Sequence, residues 1–203
     1  MGTRRALHDV SSSKLPDILI SVPALAQYNG LPSDSVAPQP LPDGARPRFC
    51  AWSNGDLYEG QWSPEGRIHG YGVYHWCAGA TYDGQWAENL HHGFGTYCCP
   101  VTGLEMEGEW RFGYLQGEGR IRTSGPDEQY VGEVHHGARQ GQGTLVSRGD
   151  QCVHEGGWAK GYPHGAGRRL HVSQSEVVQV HGEWAHGDCL YVSRAPLGTL
   201  STG

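Results

Sequence analysis

Several residue classes are scarce in this 203-residue chain. It has two methionines and three phenylalanines, its apolar content is 37%, and charged residues make up 18%. With so few apolar side chains, a compact globular core would be hard to fill. The net charge is −6, and no extended run of lysine or arginine occurs. Nucleic acid is therefore disfavoured as a partner, because neutralisation of phosphates dominates its binding.

The features of a secreted or membrane-spanning chain are also missing. The six cysteines show neither a C-x-x-C spacing nor a paired framework, so free thiols in a reducing cytosol are expected. The N-terminal residues contain no continuous apolar segment typical of a signal peptide, and Ala6 breaks the myristoylation pattern. No apolar run approaches the ~18 residues of a transmembrane helix. The sequence therefore predicts a cytoplasmic protein.

Glycine, by contrast, is abundant, with 32 residues, and it recurs at a fixed period. The glycine of a Y-x-G element returns every 24 residues, with a last interval of 26. Tryptophan follows two positions later in all copies but the fourth, where Val134 replaces it, and a second glycine pair follows in five copies. Such a period is typical of a repeat array. The first glycines of the copies are Gly60, Gly84, Gly108, Gly132, Gly156 and Gly182.

Each copy is predicted to form a β-hairpin. In YEGQW, the period-2 alternation places Tyr58, Gly60 and Trp62 on one face and the intervening polar residues on the other. A glycine or asparagine separates the two runs of each copy, as a tight turn with φ > 0 requires. An aromatic ring from a neighbouring strand is expected to cover each bare glycine. The predicted turn residues are Gly66, Asn89, Gly113, Gly137, Gly161 and Gly187.

The array is predicted to span residues 46–192 as about five full copies with broken copies at both ends. About eleven strands would give one open sheet, with an aromatic-glycine face and a polar face. Residues 1–45 are rich in proline and serine and predict an extended or disordered leader. Residues 193–203 are predicted to form a short tail.

The pattern YxGxW followed by HGxG resembles the MORN repeat, the membrane occupation and recognition nexus. YDGQWAENLHHGFGTY is one of the copies that carry the resemblance. The resemblance implies an all-β fold, a single elongated and twisted antiparallel sheet of consecutive hairpins that acts as a binding platform. Met106, His154 and Val180 replace the tyrosine in three copies. These departures indicate a scaffold rather than a strict chemical requirement.

No catalytic or metal site is expected. The sequence lacks nucleophile-elbow and phosphate-loop motifs, and its carboxylates fall at polar-face positions of the repeat. The pairs His91-His92 and His135-His136 are separated by 44 residues and are not equivalent positions. We interpret His91 as a loop neighbour with no counterpart in other copies, and His92 as part of the H-G element. Neither an enzyme nor a bound cofactor is predicted.

A non-enzymatic scaffold is the favoured function. An open sheet has no second layer, so part of the aromatic stripe is expected to stay exposed or to meet a partner. The resemblance implies protein partners in a cytoskeletal, ciliary or flagellar assembly such as the axonemal radial spoke, and a homo-oligomer stays open. The alternative is a membrane-associated adaptor for phosphoinositide lipids, which the acidic balance disfavours. The predicted partner-binding residues are Tyr58, Trp62, Tyr74, Tyr82, Trp86, Tyr97, Trp110, Tyr130, Trp158 and Trp184.

Overall fold

The computed structural model describes residues 48–125, 127–172 and 176–199 as strands joined by turns. The leader predicted over residues 1–45 lies outside the described residues. Thirteen strands lie within them: β1 Arg48–Ala51, β2 Leu57–Trp62, β3 Ile68–His75, β4 Thr81–Ala87, β5 Leu90–Cys99, β6 Leu104–Arg111, β7 Tyr114–Thr123, β8 Glu128–His135, β9 Ala138–Ser147, β10 Cys152–Ala159, β11 Tyr162–Val172, β12 Glu176–Ala185 and β13 Asp188–Thr199.

All thirteen strands belong to one antiparallel sheet whose spatial order is the chain order. Each strand therefore pairs only with its neighbours in sequence, and β1 and β13 form the two edges. At ~4.8 Å per strand spacing, the sheet measures roughly 58 Å from edge to edge. The prediction of an all-β single sheet of consecutive hairpins is confirmed.

The described sheet has thirteen strands, whereas the repeat pattern predicts about eleven. The last copy loses its second glycine pair but keeps its second strand, because β13 pairs with β12 along its length. This strand runs to Thr199, past residue 192 where the pattern ends. A β-ladder needs backbone N–H and C=O groups rather than particular side chains, so a regular neighbour is enough to extend it.

The recurring glycines align into one row that crosses the sheet. Gly60 lies opposite Gly72, which lies opposite Gly84, and the same pairing continues through every strand to β12. Directly opposite residues share a face at short Cα separations, so the row is a continuous strip of bare backbone. This glycine row consists of Gly60, Gly72, Gly84, Gly95, Gly108, Gly119, Gly132, Gly143, Gly156, Gly167 and Gly182.

Tyrosine rings lie on this glycine row. A Cβ added at Gly60 or Gly72 would overlap the ring of Tyr58, whose hydroxyl donates a hydrogen bond to the carbonyl of Gln61 at 2.9 Å. The ring therefore covers a glycine on its own strand and one on the next strand. In this hairpin the expectation that a neighbouring strand supplies the cover is right for Gly72 and wrong for Gly60.

A β-bulge in the second strand of each hairpin lies next to the glycine row. The register shifts between Gly60 and Trp62, and it shifts at the corresponding place in the five later hairpins. In the first hairpin three residues of β3 lie opposite the single residue Gln61, so the second strand carries two extra residues there, and a bulge of this kind bends its strand. The bulge therefore decides which residue of the second strand faces the tryptophan.

The predicted turn residues all have positive φ, from 68° at Asn89 to 92° at Gly187, which confirms that prediction. The turn at His136 and Gly137 has φ of 50° and 77°, and two-residue turns of this kind match the right-handed twist of the flanking strands. The Gly137 N–H donates a hydrogen bond to Leu115 of the preceding hairpin at 2.9 Å. Neighbouring hairpins are thus joined at their turns as well as along their strands.

Replacing Gly72 with alanine is expected to destabilise the sheet. The added methyl group would overlap the buried ring of Tyr58, and overpacking of this kind costs about 1–3 kcal/mol in the free energy of unfolding. Chemical denaturation would measure the loss. Gly125→Ala is the matched control, since a Cβ there would meet no heavy atom within 4 Å. Equal effects of the two substitutions would contradict the role of the glycine row.

Candidate interaction surfaces

The ten aromatic residues predicted to bind a partner lie mainly in the core of the sheet. Nine of them are at most 9% exposed, and only Trp62 stays partly exposed at its edge. Rings of this size, repeated at every second strand, overlap one another and remove most of their surface from water. The aromatic stripe therefore stabilises the fold first, and it leaves much less accessible surface than the sequence suggests.

Three of the tryptophans also join their hairpins to the preceding ones. The indole N–H of Trp86 donates a hydrogen bond to the carbonyl of Gly72 at 3.0 Å. Trp110 and Trp158 make the same bond to glycine-row carbonyls at 2.9 and 3.0 Å. A buried indole N–H needs an acceptor, and the glycine row provides one in the preceding hairpin. Val134 has no N–H group in its side chain and cannot make this bond.

The residue opposite each tryptophan is a core position that the sequence analysis missed. His91 faces Trp86, is 4% exposed and stacks on Tyr82 with 3.8 Å between ring centroids. The interpretation of His91 as a loop neighbour without a counterpart is therefore wrong. His92, the next residue, is exposed. The position recurs in every hairpin and is buried or half-buried in all but the last, where the residue is exposed. It is occupied by Ile68, His91, Leu115, Arg139, Pro163 and Cys189.

Arg139 occupies this position in the fourth hairpin and brings a charge into the core. Its guanidinium carbon lies 5.7 Å from the ring centroid of Tyr130 and 5.3 Å from that of Trp158. It also donates a hydrogen bond to the buried carboxylate of Glu128 at 2.9 Å. The opposite residue is Val134, which is much smaller than tryptophan and leaves more room for the guanidinium. Planar stacking and charge pairing together suit arginine rather than lysine at such a site.

At the other end of the sheet, a buried carboxylate fixes the first hairpins. Asp56 accepts hydrogen bonds from the hydroxyl of Tyr74 at 2.7 Å and from the N–H of Cys77 at 2.8 Å. Burial acts to raise the pKa of Asp56, but these bonds and one from Asn54 outweigh it and lower the pKa. The carboxylate is thus held ionised as an acceptor for structural donors.

Two buried histidines remain neutral in this core. Burial lowers the pKa of His91 to about 3. Burial, with a smaller effect from Arg169, lowers the pKa of His154 to about 4. His154 stands where other hairpins have tyrosine, and it packs edge-on against Trp158 and Trp184. These histidines are packing residues, because their surroundings favour the uncharged ring.

Exposed aromatic side chains lie on the opposite, polar face and at the turns. Tyr71 is 55% exposed and Phe94 71%, and each is the middle residue of a Gly-x-Gly element. Phe112, in the turn between β6 and β7, is 72% exposed. The repeat pattern does not indicate these residues, because it contains only the residue types that recur between copies. Glutamate, glutamine and alanine take the Gly-x-Gly position in later copies, so only the alternation of faces could have indicated them.

Within residues 48–125, 127–172 and 176–199, no group of three or more His, Cys, Asp or Glu side chains is arranged to hold a metal ion. The same part of the chain contains no helix with the length and hydropathy needed to span a membrane.

Consecutive hairpins, each adding a Tyr-x-Gly-x-Trp strand and a Gly-x-Gly strand to one open sheet, define a class of repeat proteins stabilised by contacts between neighbours. The family model described as the MORN repeat matches residues 58–81, 82–101, 107–124, 130–149 and 154–175. These matches cover just over half of the chain, which therefore belongs to the MORN-repeat proteins. The resemblance drawn from the sequence is confirmed. A search of curated proteins found no match.

Acidification below pH 6.5 is expected to destabilise the sheet. The unfolded chain binds protons at His91 and His154 near pH 6.5, whereas the folded chain binds them only near pH 3 and pH 4. The free energy of unfolding therefore decreases as the pH is lowered through this window. At pH 5 the decrease is about 2 kcal/mol per histidine relative to pH 8. Urea unfolding at pH 8 and pH 5 would measure it.

His91→Leu tests the assignment, since leucine stands at the equivalent position Leu115. We expect the variant to lose about half of the acid sensitivity. His75→Leu, on the exposed face, is the matched control. A pH dependence unchanged by His91→Leu would show that this ring does not carry the effect.

Proposed function

We propose that this MORN-repeat chain is a non-enzymatic scaffold that binds protein partners within a cytoskeletal or flagellar assembly, in the manner of a radial-spoke subunit. The observation that supports it most is the open, single-layer sheet of thirteen strands. Such a sheet offers two faces and two edges over roughly 58 Å, which is enough for more than one partner. The buried rings form one continuous core without a second layer, which leaves both faces of the sheet open to partners.

A scaffold also fits the state of the titratable groups. General acid–base catalysis needs groups with matched pKa values facing a substrate. Exposed carboxylates of the polar face are instead paired with arginines on adjacent strands, as in Glu107 with Arg120 and Glu105 with Arg122, both at 3.2 Å. The two strongly shifted histidines are buried among aromatic rings. This arrangement supports structure and binding rather than catalysis.

We call the face of the sheet that carries the buried rings the ring face. Among the described tryptophans on it, Trp62 and Trp76 are accessible to a partner. Both are only partly buried and pack against the edge of the core. Trp76 lies 4.7 Å from Tyr74 and 5.9 Å from Tyr97 between ring centroids, so it rests on buried rings that hold it in place. Fixed aromatic side chains give contact area at low entropic cost.

The alternative is a phosphoinositide-binding adaptor. Over residues 48–199 the chain has 17 acidic and 11 basic residues. Seven of the arginines are already paired with carboxylates in the described sheet. A negatively charged membrane attracts unpaired basic clusters, so this charge pattern favours protein partners over lipid.

Co-fractionation separates the two proposals. We expect the tagged chain, expressed in ciliated cells, to stay with the detergent-insoluble axoneme fraction. It should not co-sediment with phosphatidylcholine vesicles containing a phosphoinositide at physiological salt. Tight binding to these vesicles, or full release of the chain from the axoneme fraction by detergent, would contradict the scaffold proposal. Proximity labelling in the same cells would identify the neighbouring proteins.

Substituting both Trp62 and Trp76 with alanine tests the ring face itself. We expect recovery in the axoneme fraction to fall by about tenfold, which corresponds to ~1.4 kcal/mol of binding. Because the two side chains are only partly buried, most of the fold should survive, and thermal unfolding would verify this. Glu59→Ala, an exposed residue in the same strand as Trp62 but on the polar face, is the control. Unchanged recovery of the double variant would exclude the ring face as the docking site.

A further inference from the structure

We propose that the polar face carries a docking surface for an amphipathic, cationic helix of a partner protein. This inference rests on the proposed scaffold function and assigns it a surface and a partner class. We call the surface the outer row. It comprises Tyr71, Gln85, Phe94, Glu109, Glu118 and Glu133, together with the adjacent turn residue Phe112.

The outer row crosses six consecutive strands, from β3 to β8. Tyr71 lies opposite Gln85, and Phe94 lies opposite Glu109. The amide oxygen of Gln85 accepts a hydrogen bond from the Phe94 N–H at 3.0 Å, which ties these two pairs together. From β3 to β8 the line crosses five strand spacings, or roughly 24 Å.

The first half of the outer row exposes aromatic rings that the fold does not require. Equivalent Gly-x-Gly positions in later hairpins hold Glu118, Gln142 and Ala166, so the repeat accepts polar and small residues there. Phe94 is nevertheless 71% exposed, and Phe112 is 72% exposed on the next hairpin. Exposed aromatic side chains grouped on neighbouring strands are typical of an interaction surface.

The second half of the outer row is acidic and partly unbalanced. Glu118 lies directly opposite Glu133, and like charges at opposite positions of adjacent strands destabilise a sheet. Glu109 pairs with Arg111 at 2.8 Å, whereas the carboxylate of Glu133 accepts a backbone N–H from Gln142 at 2.7 Å. Lysine or arginine side chains of a partner would relieve the repulsion and give the contact its orientation.

A helix is the element that fits this line. The outer row lies on a face of the sheet, so an added β-strand, which needs a free edge, cannot reach it. A helix advances 5.4 Å per turn, close to the strand spacing, and about 16 residues span 24 Å. Its contacting face would carry apolar residues in the first two turns, over Tyr71 and Phe94, and lysine or arginine in the last two, over Glu118 and Glu133.

A designed peptide tests the surface directly. The probe is a fluorescein-labelled helical peptide of about 16 residues. Leucines occupy one face of its first half, and lysines occupy the same face of its second half. The control peptide has glutamates in place of the lysines. With the full-length chain we expect the lysine peptide to bind at least about tenfold more tightly than the glutamate peptide in fluorescence anisotropy, and its affinity to fall as salt rises.

Paired variants locate the binding. Phe94→Ser is expected to weaken the lysine peptide by about tenfold. Val101→Ser, which removes an 80% exposed apolar side chain from the β5–β6 loop, should leave it unchanged. Glu118→Lys should also weaken it, whereas Glu59→Lys, an exposed carboxylate on the same face in β2, should have a much smaller effect. Thermal unfolding of each variant checks the fold, and the exposed positions should leave it intact.

The outcomes that overturn the proposal are distinct. Failure of the lysine peptide to bind, equal binding of both peptides, or wild-type affinity of Phe94→Ser would each overturn it. If Phe94→Ser instead converts a dimer to a monomer in sedimentation velocity and leaves probe binding unchanged, the rings join two copies of the chain. If the chain does not co-fractionate with the axoneme but still binds the lysine peptide, the assembly proposal is wrong and the outer-row proposal is retained.

Discussion

The contact between a tyrosine ring and the bare backbone of two paired glycines is the constraint on which this sheet depends. Without Cβ atoms in the way, the ring of Tyr58 lies directly on Gly60 and Gly72, and its hydroxyl reaches the carbonyl at the bulge. The glycine carbonyls remain open to the indole of the next hairpin, as in Trp86 to Gly72. One layer of strands thereby acquires a buried core that would otherwise need a second layer.

The third hairpin shows that cover of the glycines matters more than tyrosine itself. Met106 stands in the tyrosine place, and the methyl groups of Leu115 lie where added Cβ atoms at Gly108 and Gly119 would meet them, at 3.1 and 3.0 Å. Leucine reaches the row from the second strand, after the turn, rather than from the first. The same bare strip can thus be filled from either strand of a hairpin, which explains why departures from the repeat leave the sheet unbroken.

The period and the alternation of faces were enough to predict the hairpins, the turn residues and the single sheet, because these depend on backbone geometry that recurs. The burial of the rings was not predictable, since it arises from overlap between hairpins that no single copy reveals. The role of His91 was hidden by the bulge, which shifts the register by two residues and sets His91 opposite Trp86, where an unshifted ladder would place Gly93. The exposed Phe94 was not predicted, because the residue type at its position differs between copies and is therefore not part of the repeat pattern.

The side-chain bonds of the tryptophans all point one way along the chain. The indoles of Trp86, Trp110 and Trp158 each donate to a glycine carbonyl of the preceding hairpin. The N–H groups of five hairpin turns also donate to a carbonyl of the preceding hairpin, as Gly137 does to Leu115. A hairpin therefore provides hydrogen-bond donors to the hairpin before it and acceptors to the hairpin after it. Because a ribosome also delivers the chain from N- to C-terminus, the sheet can be assembled vectorially, with each newly emerged hairpin sealing the one already folded.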